Sequence, residues 1–231
     1  MKIISYYLPQ FHKIKENDDW WGEGFTEWTN VKSSKPYFEG HNQPRIPLND
    51  KYYDLTNPET LEWQSKLANK YGIYGFCFYH YWMGSNRMLL EKPAEILKNN
   101  PNIPMKFCFS WANHDWLRTW ATKEKTLLMK VEYGEKDEWK KHFEYLLPFF
   151  KDERYIKFDN RPVFSIYDPL AIPDGAKMME YWQELALENN LEGIYFIYQN
   201  NSFHKHPQDN LKSQFECGIE YQPGRVFEHI N

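Results

Sequence analysis

Three carboxylates fall where strands end in this chain: Asp115, Asp168 and Glu220. Two carboxyl groups flanking a reacting bond are the usual equipment for acid–base chemistry on it. One donates a proton to the departing oxygen, and the other attacks or activates a nucleophile. Asp168 precedes Pro169, which suits a turn. Asp115 sits between aromatics with His114 beside it, and Glu220 alternates with Ile219 in an apolar run. Asp115 and Glu220 are therefore the candidate catalytic acids. Glu27, in a long loop, reads as a hydrogen-bonding wall residue. His80 closes an apolar run as Tyr-His-Tyr-Trp, and reads either as a satisfied core histidine or as a ligand contact.

Rings make up 19% of the residues although the mean hydropathy is -0.80. An aromatic face meets the C–H face of a pyranose through dispersion and weak electrostatics. Tyr6, Tyr7, Trp28, Tyr79, Trp82, Trp111, Trp116 and Tyr167 are the stacking candidates, and core packing is the competing role for each tryptophan. Asn113, His41, Gln43 and Arg45 are candidates for the few directed hydrogen bonds that orient a ligand. The expectation is that Tyr7, His80, Trp111 and Asn113 line one concavity, with the loop over residues 20–45 above it.

Several chemistries lose support. No HExxH or CxxC occurs, and His204 and His206 lack a third ligand nearby, so no metal is expected. No Asp-x-Asp or glycine-rich phosphate loop is present, and no cofactor is expected. The formal charge of -4 offers no basic surface for nucleic acid. No apolar run approaches the ~20 residues of a membrane span. The N-terminal residues lack a secretory cleavage site. Cys77, Cys108 and Cys217 lie far apart in apolar runs and read as buried free thiols of a reducing compartment, so a cytoplasmic location is expected. The partner expected is an oligosaccharide or polysaccharide; the sequence says nothing of oligomeric state.

The elements that must position these residues alternate. Short, nearly continuous apolar runs at 2–8, 73–80, 104–110, 162–167, 193–198 and 217–221 read as strands buried on both faces. Helical stretches at 58–71, 91–99, 135–149 and 176–189 fill the gaps, with a weak one at 203–215. Asn57 caps the first, and Gly72 stops it. Alternation of this kind implies a parallel α/β sheet with right-handed crossovers. Polar and aromatic residues cluster just after the strands, as in the active sites of (β/α)8 barrels. The expected fold is therefore a single TIM-barrel-type domain over residues 1–231, truncated after about six βα units, because two further units are not found. Between residues 8 and 58 runs a loop of a length usually reserved for function.

Six ordered segments then carry a resemblance: YYLPQFH, GFTEWTNV, GHNQPRIP, GFCFYHYW, the SWAN segment with Trp116, and DERYIKFDNRPVFSIYDP. Together they resemble the WbsX family of bacterial proteins linked to O-antigen and other surface-polysaccharide synthesis. That family is itself similar to the (β/α)8 barrels of glycoside hydrolase family ninety-nine, the endo-α-mannosidases and mannanases. The resemblance implies a carbohydrate-active barrel, hydrolytic or glycosyl-transferring. In the similar hydrolases the second carboxylate is thought to deprotonate the sugar's own 2-hydroxyl. Where the family reads Trp-Ala-Asn-Glu-Asn-Trp, this chain reads Trp111-Ala112-Asn113-His114-Asp115-Trp116. The family's glutamate-rich C-terminal motif is not found, so weak glycan binding and poor turnover are expected of these 231 residues.

Overall fold

The computed structural model describes residues 1–118, 126–200, 207 and 209–222. The chain opens with β1 (Ile3–Tyr7), two short helices, α1 (Lys15–Trp21) and α2 (Glu27–Ser33), and then α3 (Pro58–Lys70). β2 (Ile73–Gly84) turns back as β3 (Arg87–Leu89), followed by α4 (Lys92–Asn99) and β4 (Phe107–Trp111). An antiparallel pair, β5 (Trp116–Arg118) and β6 (Thr126–Met129), precedes α5 (Lys136–Phe150). The remainder is β7 (Lys157–Phe158), β8 (Arg161–Ile166), α6 (Gly175–Glu188), β9 (Tyr195–Asn200), α7 (Asp209–Lys212) and β10 (Cys217–Glu220).

Local chemistry explains the boundaries. The Asn57 side chain accepts from the Glu59 N–H at 2.9 Å, and Pro58 occupies the first helical turn, so α3 starts where the sequence places it. Gly72, at φ +79°, ends it in a conformation that other residues resist. β2 runs four residues beyond the expected end at His80. Ser85 and Asn86, both at positive φ, turn it into β3. The expected loop before residue 58 contains α1 and α2. Of the weak helix at 203–215 the structure shows α7; residues 203–206, with His204 and His206, lie outside the described residues.

Six strands pair in parallel in chain order, β1-β2-β4-β8-β9-β10, as the alternation implies. The sheet curls. Tyr6 on β1 and Tyr221 after β10 have ring centroids 6.1 Å apart, whereas five strand spacings in a flat sheet would separate them by roughly 24 Å. The result is a half-barrel of mixed α/β architecture. Six strands make up this curled parallel sheet among the described residues, the number of strand runs read from the sequence.

Strand register divides the side chains between two faces. Tyr7, Phe78, Phe109, Phe164 and Phe196 form one lateral row across five strands. This row faces the helices and packs with Phe150 of α5 and Trp182 of α6. On the concave face the matching positions are Tyr6, Cys77 and Cys108, then Tyr79, Ser110 and Ser165. The convex face is thus filled with large apolar rings, and the concave face with small and polar groups. Cys77 and Cys108 are buried free thiols as expected, whereas Cys217 is exposed near the sheet edge. No described helix is long and apolar enough to cross a membrane.

Candidate functional site

A cavity of about 460 Å³ opens at the C-terminal ends of the parallel strands, within the usual size range of a small-ligand site. Five of the six parallel strands, or the residues just after them, contribute to its wall. Gln10 follows β1, Tyr79 and Tyr81 lie on β2, and His114 and Asp115 follow β4. Tyr167 follows β8, and Tyr221 follows β10. The β5–β6 pair adds Trp116, Leu117 and nearby Leu128, and the segment around α1 and α2 adds Asn17, Trp21, Phe25 and Glu27.

The aromatic wall is continuous. Tyr79 stacks on Tyr6 at 5.4 Å, and Tyr81 meets Trp116 edge-on at 5.4 Å. Trp20 packs behind Trp116 at 5.5 Å, and His114 meets Tyr167 at 5.3 Å. Gln10 Nε2 donates to the Tyr81 hydroxyl at 3.3 Å. Burial pushes the Tyr81 phenol up, and the nearby Glu27 carboxylate adds to the shift, so this hydroxyl keeps its proton.

Two carboxyl groups share the wall. Asp115 Oδ1 accepts the Val131 N–H at 2.8 Å, which ties it to the segment following β6. Glu27, the first residue of α2, has Oε2 buried and without a hydrogen-bond partner among the described residues. Burial pushes its carboxyl up to about 7, against the opposing effect of its own backbone N–H. The arrangement combines apolar ring faces, a held carboxylate and a carboxyl that retains a proton, which is equipment for acid–base chemistry on a polar ligand with apolar faces. Among the described residues no three His, Cys, Asp or Glu side chains gather as a metal site requires.

Of the sequence candidates, Asp115, Tyr79, Trp116 and Tyr167 are brought together in the cavity. Asn113 stands behind it as a clamp. Its Nδ2 donates to the Asp168 carbonyl at 2.6 Å, its Oδ1 accepts the Asp168 N–H at 2.8 Å, and its carbonyl accepts from the Tyr133 hydroxyl at 2.8 Å. These bonds join the loop after β4 to the loop after β8.

The expectation that Tyr7, His80, Trp111 and Asn113 share one concavity is corrected. Side chains alternate along β2, so Tyr79 and Tyr81 point inward while His80 and Trp82 point to the helices. His80 Nε2 lies 2.8 Å from His142 Nε2 on α5, and burial lowers the imidazole of His80 to about 3. Trp82 stacks on His142 at 4.6 Å, and the Trp111 indole N–H donates to the Trp82 carbonyl at 3.1 Å. Tyr7 donates to Gln64 of α3 at 2.6 Å, on the same helical side.

The remaining candidates lie elsewhere. Trp28 donates to the Tyr53 carbonyl at 2.8 Å and lines a separate groove with Lys32 and Tyr52. His41 stacks on Phe38 at 4.6 Å, Gln43 accepts the Arg45 N–H at 3.2 Å, and Arg45 is exposed; none of the three lines the cavity. Glu220 is exposed, accepts from Gln222 Nε2 at 3.1 Å, and is absent from the described lining. Its place follows from parity: it pairs laterally with Asn200, the neighbour of inward Gln199. Sequence reasoning missed Tyr221 and did not single out Gln10 or Tyr81 from the clusters that follow the strands. The Tyr-x-Tyr spacing of residues 79 and 81, read at strand period, was the available signal.

A family model described as Glycosyltransferase WbsX matches residues 3–230. The protein WxcX from two strains of Xanthomonas campestris pv. campestris, B100 and ATCC 33913, described as uncharacterized, is 34% identical over 221 residues. The match takes in 96% of this chain and 31% of WxcX, so the chain spans about a third of that relative's length. Among solved structures, the GH99 endo-alpha-mannosidase from Bacteroides thetaiotaomicron in complex with bis-tris-propane aligns with a TM-score of 0.50 at 14% identity. That alignment covers 87% of this chain and 53% of the mannosidase, and it bears on the fold alone.

Proposed function

The chain belongs to the WbsX glycosyltransferase family, and from that premise we propose that it binds a glycan in its concave cavity and acts there on a glycosidic bond. The reaction is cleavage or glycosyl transfer in the making of a surface polysaccharide, by carboxyl-group chemistry. The observation that carries this reading is the placement of Asp115 among Tyr79, Tyr81, Trp116 and Tyr167 at the C-terminal strand ends. Ring faces there receive the C–H faces of sugars, and polar groups between them fix orientation. Asp115, held by the Val131 N–H, is assigned the carboxylate role of activating the attacking hydroxyl. Glu220, outside the described lining, is given none.

The test is calorimetric titration of the chain with defined oligosaccharides, paired with release and transfer assays on aryl glycosides. Trp116→Ala is expected to weaken binding by about two- to tenfold, from loss of roughly 0.5–1.5 kcal/mol of stacking. Binding with turnover supports an enzyme. Binding without turnover reduces the reading to a glycan-holding module, and no binding to any oligosaccharide removes the site.

A further inference from the structure

We propose that Glu27 is the proton donor of this cavity, presenting its carboxyl O–H to an oxygen of the bound glycan; this rests on the reading of the cavity as a glycan site. Two geometric features converge on it. Glu27 lines the same cavity as Asp115, from α2 rather than from the barrel strands. Its Oε2 is buried and has no hydrogen-bond partner among the described residues, so an acceptor is missing on the ligand side. A buried carboxyl oxygen without a partner is costly unless something supplies one, and a sugar oxygen in the cavity would. Burial, which raises this carboxyl to about 7, keeps the proton available near neutrality.

The step balances within the cavity. Glu27 gives its proton to the glycosidic oxygen as the C1–O bond breaks and both bonding electrons stay on that oxygen. A hydroxyl, from water or from an acceptor sugar, forms the new bond at C1, and Asp115 takes that hydroxyl's proton. Returning one proton from Asp115 and restoring one to Glu27, through solvent, closes the cycle.

The other titratable groups lining the cavity are Tyr79, Tyr81, Tyr167 and Tyr221, with His114 and Asp115 from the loop after β4. Histidine is the other residue type that changes charge near neutral pH, so His114→Gln is the control. The experiment measures oligosaccharide affinity of the full chain from pH 5.5 to 8.5. In the wild type, affinity is expected to fall above pH about 7, approaching tenfold per unit, as the donor is lost. Glu27→Gln, which keeps an N–H donor but cannot titrate, is expected to flatten the profile, and His114→Gln to retain it.

Turnover supplies a second reading. Glu27→Gln is expected to slow alkyl glycosides by ~10²–10⁴-fold and to spare 2,4-dinitrophenyl glycosides, whose leaving groups need no proton. Binding with a flat wild-type profile, or an unchanged slope in Glu27→Gln, overturns the proposal while leaving the glycan site standing. Equal slowing of both substrate classes overturns it as well. Binding without turnover leaves the affinity profile to decide, and failure to bind any oligosaccharide removes the glycan site itself and the donor role with it.

Discussion

At the scale of single residues, two carboxyl groups and a pair of imidazoles illustrate how environment sets chemistry. Asp115 keeps one oxygen on a backbone N–H, so Asp115→Asn preserves an acceptor for Val131 and leaves folding little changed. The same substitution is expected to lower turnover by ~10²–10⁴-fold with glycan affinity largely kept, read as a kcat loss at constant KM. The His80–His142 pair tests the other direction. Burial holds both imidazoles neutral in the folded protein, each with its folded value below the unfolded one of about 6.5. The unfolded chain therefore binds the protons first. For His80 stability is full above pH about 6.5 and is lost as pH falls through the window towards 3, at about 1.4 kcal/mol per pH unit, and His142 acts in the same direction. Denaturant midpoints measured between pH 7.5 and 5 are expected to fall more steeply for the wild type than for His80→Gln; equal slopes would contradict the assignment.

At the scale of elements, the segments that carry the site are pinned by a few backbone contacts. β2 runs on beyond its parallel pairing with β4 and turns at Gly84, whose φ of +91° and position leave no room for a side chain: a Cβ there would lie 2.2 Å from the Glu132 carbonyl oxygen. Gly84→Ala is therefore expected to destabilise the protein by about 1–3 kcal/mol, measured as a shift in Tm. The change acts on the segment after β6 that also carries Val131, the partner of Asp115. Much at this scale was legible in the sequence. Asn57, Pro58 and Gly72 encode the start and end of α3 through local hydrogen bonding and φ preference, so it stood where expected. The overrun of β2, the β5–β6 pair and the two short helices before residue 58 were not legible, because aromatic and polar residues there carry weak periodicity and their pairing is tertiary.

At the scale of the whole molecule, the Tyr7-Phe78-Phe109-Phe164-Phe196 row joins the sheet to its helices. Phe164 is fully buried between Phe150 and Trp182, and Phe164→Ala is expected to cost about 3–5 kcal/mol in a denaturation experiment. The sequence by itself determined the order of strands and helices, their parallel pairing, the family, and the aromatic character of the site. Those follow from local propensity, from the handedness of crossovers and from six quoted motifs, each of which acts over short range. Only the tertiary structure decided which rings face the cavity and which face the helices. Adjacent residues on a strand point to opposite sides, so membership of a cluster at a strand end does not fix direction: His80 went to the helices, and Tyr79 and Tyr81 to the cavity. It also decided that Glu27 shares a wall with Asp115, 88 positions away, because the curl of the sheet and the docking of α2 over its mouth depend on packing among distant segments.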